Sequence, residues 1–167
     1  MRLFVAVKFS DEMIASLCKA INDLRSRVIS GNFTRPENLH LTLAFIGETM
    51  NIDGAKRAVG SINARGFDIK LRGAGNFGSL YWVGLEQSRP LADLARDVRA
   101  ALRGEGFGIE EREFSPHITI AREVAAESRP GAEAGPAGMR VGRVSLMKSE
   151  RIGGRLIYTE IFWKELA

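Results

Sequence analysis

Cysteine occurs once in the 167 residues, at Cys18, so an internal disulfide and a thiolate metal cluster are both excluded. Long hydrophobic runs are missing. The opening stretch from Met1 to Lys8 is too short for a signal peptide, and no segment could span a bilayer, so the expected setting is cytoplasmic, with no membrane partner. Neither sign of charge dominates. Lys and Arg number 24 against 20 Asp and Glu, for a net charge of +4. This mildly basic balance suits an anionic substrate, but solubility explains it equally well, and it falls short of the charge runs of a nucleic-acid-coating protein. Histidine is nearly absent, with two residues in the chain.

What is present is ordinary for a globular protein. Apolar residues make up 45% and charged residues 26%, which excludes a disordered chain. The length predicts one domain over residues 1–167, or two small lobes sharing a core. Residues 3–9 read as a buried strand. Ser10 then caps a helix with the stripe Met13, Ile14, Leu17, Cys18, Ile21, Leu24 and Val28, stopping near Ser30-Gly31. Cys18 falls on that stripe and reads as a small core residue. Asp53 is placed to cap a helix over residues 54–62, and residues 67–71 read as a strand. Gly73-Ala74-Gly75-Asn76-Phe77-Gly78 matches a dinucleotide-loop pattern, but that loop must open a helix, and residues 80–85 read as a strand. The match therefore reads as a glycine-rich strand connection. Pro90 starts a second amphipathic helix, residues 123–139 read as a long surface loop, and residues 141–148 and 156–163 pair as a hairpin around Gly153-Gly154.

Both histidines sit in one repeated pattern: His40-Leu41-Thr42-Leu43 and His117-Ile118-Thr119-Ile120. Each lies in an alternating apolar run, so a strand's period of two places histidine and threonine on one face and the aliphatic residues on the other. A single copy would be a hydrogen-bonded histidine beside a β-favouring threonine. Two copies that use up every histidine, nearly half the chain apart, ask for a chemical reason. Each follows a long helix, which suggests an α+β fold of two pseudo-symmetric lobes around a cleft, each lobe contributing one His-x-Thr strand.

Imidazole has an unperturbed pKa near 6.5 and can take or give a proton at neutral pH. Two facing histidines can serve as base and acid, and two threonine hydroxyls can donate to non-bridging phosphate oxygens. The chemistry that fits is in-line displacement at phosphorus. No metal is required, and two histidines without a third or fourth ligand make a poor zinc site.

On these residues the sequence resembles the two-histidine (2H) phosphoesterase family, in its RNA 2′,3′-cyclic phosphodiesterase or 2′-5′ RNA ligase-like branch. The resemblance is carried by residues 2–7, Pro36 to Leu43, Phe45 to Glu48, Tyr81 to Gly84, Pro116 to Arg122, Leu146 to Ser149, Gly154 and Tyr158. It implies metal-independent, cofactor-free hydrolysis of RNA 2′,3′-cyclic phosphate ends to 2′-phosphomonoesters, with 2′-5′ ligation as a reverse activity. It also implies His40 as acid on O3′, His117 as base on water, and Thr42, Thr119 and Arg122 on the phosphate. From the residues alone either histidine can take either role. The family often has a tryptophan shortly before the first motif, where this chain has Asn32-Phe33-Thr34, so Phe33 is the candidate for base stacking there. Partners are then RNA ends or nucleotides carrying a cyclic phosphate, bound by a monomer without an obligate protein partner. The alternatives are a phosphodiesterase of the same fold acting on small nucleotides or 2′,5′-linked oligonucleotides, and an RNA- or nucleotide-binding module without turnover.

Overall fold

Antiparallel pairing between alternating strands organises the molecule, seen here in a computed structural model that describes residues 1–128 and 130–167. In chain order the elements are β1 (Arg2–Lys8), α1 (Asp11–Arg25), β2 (Ser30–Phe33), a 3₁₀ turn (Pro36–Asn38), β3 (His40–Glu48), α2 (Ile52–Gly60), β4 (Phe67–Phe77) and β5 (Leu80–Leu85). They continue with α3 (Arg89–Gly104), β6 (His117–Ala125), β7 (Gly138–Val141), β8 (Arg143–Ile152) and β9 (Arg155–Glu165). The strands form two sheets, of order β3-β1-β8-β9 and β2-β6-β5-β4-β7. The α+β class expected from the sequence is the one observed.

Apolar side chains on alternate positions supply the core. Leu3, Val5 and Val7 of β1, Leu41 and Leu43 of β3, and Ile118 and Ile120 of β6 are all essentially inaccessible to solvent. They pack with Leu91, Leu94, Val98 and Leu102 of α3 and with Met13, Leu17 and Leu24 of α1 in one cluster. Burying each such side chain contributes roughly 1.5–3 kcal/mol. Phe4, Ala6 and Met147, the out-of-phase residues of the first sheet, form a separate small cluster with Tyr158 packed against it. That cluster becomes the floor beneath His40.

The helices do not stay with their neighbours in sequence. α1 packs on β2, β6 and β7 of the second sheet, whereas α2 and α3 pack on β3, β8 and β9 of the first. The helix preceding each histidine strand thus covers mainly the other histidine's sheet. The two lobes interleave along the chain and are not its two halves.

Several boundaries differ from the sequence expectation. α1 stops at Arg25, because the Ser26 hydroxyl donates to Asp23 O at 2.7 Å and Ile29 N then donates to Ala125 O at 2.8 Å, starting a strand pairing. Asn51, not Asp53, caps α2, accepting from Gly54 N at 3.0 Å. The glycine-rich segment is mostly part of β4, which runs on to Phe77. The expected 123–139 loop is shorter, because β6 extends to Ala125 and β7 begins at Gly138; Arg129 lies outside the described residues. The closing hairpin turns at Gly153 and Gly154 as expected, both at positive φ (59° and 79°), as a two-residue turn of the favoured hand requires.

Candidate active site

β3 and β6 carry the two motifs, and the two strands touch where the sheets meet. They share one local design. In each, partly exposed residues alternate with buried ones through His-x-Thr-x, two successive residues are then buried, and the next is exposed. The doubled burial marks a β-bulge: pairing skips Leu43 in β3 and Ile120 in β6. A bulge resets the alternation. It turns Phe45 outward in β3 and, at the equivalent place in β6, turns Arg122 outward.

The histidine rings are held in matching ways. His40 Nδ1 lies 2.7 Å from Asn38 O, and His117 Nδ1 lies 2.9 Å from Ser115 O. A carbonyl only accepts, so Nδ1 is protonated in both rings and Nε2 is the atom left for proton transfer. His40 Nε2 is 2.9 Å from Thr42 Oγ1, which donates its hydroxyl proton to the neutral ring. Among the described residues, His117 Nε2 has no hydrogen-bond partner. The anchor of His40 is itself anchored. Asn38 is buried, and its side-chain amide donates to Leu156 O of β9 at 3.0 Å, beside Arg35 Nη2 at 2.8 Å from the same oxygen.

Two aromatic rings flank each histidine. Phe4 and Tyr158 lie 4.9 and 5.1 Å from the His40 ring, and Phe77 and Trp82 lie 5.6 and 6.4 Å from the His117 ring, centroid to centroid. Trp82 has its place because β4 is bare there: a Cβ on Gly75 would come within 2.5 Å of the indole Cζ2. Phe77 is 57% exposed beside His117. Phe33 is engaged elsewhere. It pairs with Ala121 in the β2–β6 ladder, and the Arg25 guanidinium sits 4.7 Å above its ring.

Charge converges on the His40 side. Arg122 comes from the second sheet, yet it acts on His40 and Tyr158 of the first. Burial holds the His40 pKa below its ordinary value; the Asn38 carbonyl opposes this, and Arg122 reinforces it. Burial pushes the Tyr158 hydroxyl up, while Arg122, Arg2 and Arg151 pull it back. Three guanidiniums act on the half-buried Tyr158 phenol and one of them, Arg122, also on the imidazole, a positive field that favours an anion.

The structure thus gathers His40, Thr42 and Arg122, and it sets His117 and Thr119 on the adjoining strand with no hydrogen bond between those two side chains among the described residues. Sequence reasoning gave no role to Asn38, Ser115, Tyr158, Arg2 or Arg151. Their one signal was that Arg2, Asn38 and Tyr158 lie in the stretches that carry the family resemblance. Among the described residues no group of three or more His, Cys, Asp or Glu side chains converges, and no helix is long and apolar enough to cross a membrane.

Two antiparallel sheets, each presenting a His-x-Thr strand at a shared junction, define an α+β protein with a paired-histidine candidate site. The sequence matches the family described as the 2′-5′ RNA ligase superfamily over residues 15–153, and the chain belongs to that superfamily. A Methanothermobacter thermautotrophicus protein named RNA 2′,3′-cyclic phosphodiesterase is 30% identical over 181 residues, covering 96% of each chain. A Geobacillus stearothermophilus protein of the same name is 32% identical over 75% of this chain, which spans 43% of that relative's length. The crystal structure of Escherichia coli LigT complexed with 3′-AMP superposes with a TM-score of 0.85 at 28% identity, over 99% of this chain and 97% of that one.

Proposed function

We propose that this chain hydrolyses RNA 2′,3′-cyclic phosphate ends to 2′-phosphomonoesters by paired-histidine acid–base catalysis, as a single domain whose two sheets each supply one histidine. The observation that carries the reading is the matched pair of imidazoles, each with Nδ1 tied to the carbonyl two residues earlier and Nε2 left for chemistry. The names of the relatives and the 3′-AMP bound to the similar LigT structure point to the same substrate class.

In this mechanism His117 Nε2 takes a proton from water as its oxygen bonds to phosphorus. The P–O3′ bond opposite breaks, and O3′ takes the proton from His40 Nε2. The product keeps its phosphate on O2′ and gains a free 3′-hydroxyl. Thr42, Thr119 and Arg122 stabilise charge on the non-bridging oxygens, where preorganised donors are worth most. Phe77 offers its exposed face to the terminal base. A 5′-hydroxyl in place of water would give a 2′-5′ linkage by the same steps.

His40 must be protonated to act as the acid, yet burial and Arg122 hold it neutral in the free protein. The negative charge of an entering phosphodiester offsets Arg122 and favours the imidazolium, so substrate binding loads the acid. The deciding experiment incubates purified protein, in EDTA, with a short oligonucleotide ending in a 2′,3′-cyclic phosphate and identifies the product by ³¹P NMR. The expected product is the 2′-phosphomonoester. His40→Ala and His117→Ala should each lower turnover by roughly 10²-fold or more. A 3′-phosphate product, loss of turnover in EDTA, or binding without turnover would each overturn the proposal.

A further inference from the structure

Outside the histidine site, α3 presents a row of arginines. Arg96, Arg99 and Arg103, with Arg112 of the following segment, line a cavity of about 330 Å³. A cluster of this kind suggests an anion site, but its donors are already committed. Arg96 is paired to Asp93 and Asp97, and Arg112 to Glu110. Arg103 Nη2 donates to Ile109 O and Glu110 O at 3.5 and 3.2 Å. Arg99 makes contacts of a different sort.

Arg99 Nε donates to Leu43 O at 3.1 Å, and its Nη1 donates to Arg112 O at 2.8 Å. Its guanidinium also lies 5.4 Å from the centre of the Phe114 ring. Leu43 is the residue skipped in pairing at the β3 bulge, directly after Thr42, and β3 is the outer strand of its sheet. Arg112 and Phe114 belong to the segment between α3 and β6 that has neither helix nor strand and carries Ser115 O, the anchor of His117. One rigid, planar side chain therefore spans the two elements that deliver the two histidines. Burial and the nearby charges of Arg103 and Arg112 disfavour a cation at this place, so its retention there needs the bonds it makes.

We infer that Arg99 is a positioning residue that sets the separation of the His40 and His117 motifs by clamping the β3 bulge to the segment entering β6. The kinetic part of this inference rests on the function proposed above. A displacement of about 1 Å between reacting groups can cost on the order of 10²-fold in rate, so the effect belongs in kcat.

Arg99→Ala, Arg99→Lys and the control Arg96→Ala are compared by steady-state kinetics on the cyclic-phosphate oligonucleotide, by amide hydrogen exchange over residues 110–116, and by the imidazole NMR signals. Arg99→Ala should lower kcat by about 10- to 100-fold with KM within about twofold, and the segment's amides should exchange faster. Low-millimolar guanidinium ion, entering the adjoining cavity, should restore part of kcat. An ammonium cannot span both carbonyls in the same planar geometry, so Arg99→Lys should fall between alanine and wild type. Arg96→Ala should match wild type. A folded Arg99→Ala protein with kcat within twofold of wild type, or with only KM raised, overturns the inference. If the alanine variant does not fold, the lysine variant is judged by the same criteria. Should wild type show no phosphodiesterase activity, the functional proposal fails separately. Unchanged exchange and unchanged His40 and His117 ring signals in the Arg99 variants would then still overturn the clamp.

Discussion

Thr42 and Arg122 carry the sharpest consequences at the level of single residues. The Thr42 hydroxyl donates to His40 in the free protein, and in the mechanism proposed above it turns to a phosphate oxygen. Thr42→Val keeps the shape and removes that donor, so kcat/KM on the cyclic-phosphate oligonucleotide should fall by roughly 1–3 kcal/mol of transition-state stabilisation. An unchanged rate would show that the hydroxyl never reaches the phosphate. Arg122 lowers the proton affinity of His40 across the sheet junction. Arg122→Met should therefore raise the His40 pKa in an NMR titration of the free protein, where two histidines give two assignable ring signals. No shift, or a downward one, would separate Arg122 from His40 and from the proposed phosphate site. Strict alternation from Thr119 would have sent Arg122 towards the core. The bulge at Ile120 turned it out, and a bulge depends on how two strands pair.

At the level of elements, β4 and β5 show how a local feature becomes legible only once its partner strand is known. Gly75 lies opposite Trp82, and the indole occupies the space a side chain would take. Gly75→Ala should displace Trp82, costing about 1–3 kcal/mol of stability as overpacking does. Near-UV circular dichroism of the indole should change, and so should the His117 ring signal, because Trp82 packs beside it. A variant with wild-type urea midpoint and unaltered signals would mean the ring has room elsewhere. The strong elements were readable from pattern: β1, α3, the β8–β9 hairpin and both histidine strands have the apolar periods of their type. β2 and β7 were not. Ser30–Phe33 and Gly138–Val141 are four-residue edge strands of the second sheet, with little apolar alternation. Backbone hydrogen bonds to a neighbour recruit them, and short edge strands of this kind are common.

For the whole molecule, the depressed His40 pKa couples folding to pH. Unfolding returns the group to its ordinary value near 6.5, so between the folded and unfolded values the unfolded chain binds more protons. The contribution to stability is present above about 6.5 and is lost as pH falls through the folded-state value. The urea midpoint should therefore drop between pH 7 and pH 5, and it should drop less in His40→Gln, which cannot take the proton. An equal drop in both proteins would place the pH dependence in other groups.

The sequence by itself determined the two histidine strands of the candidate site, but not Asn38, Ser115, Tyr158, Arg2 or Arg151 around them. Two His-x-Thr runs that exhaust the histidines, each backed by aliphatic residues of period two, specify strands whose polar face stays accessible, because that face cannot be buried cheaply. It also determined the α+β class, since helical and alternating periods occur in separate segments. The tertiary structure decided which pieces stand together. It laid α1 on the second sheet and α3 mainly on the first, brought Arg122 of one sheet to His40 of the other, and tied Asn38, the anchor of His40, to Leu156 O of β9. Those outcomes follow from strand order, bulges and hydrogen bonds between residues far apart in the chain, where no local period records which partner each will meet.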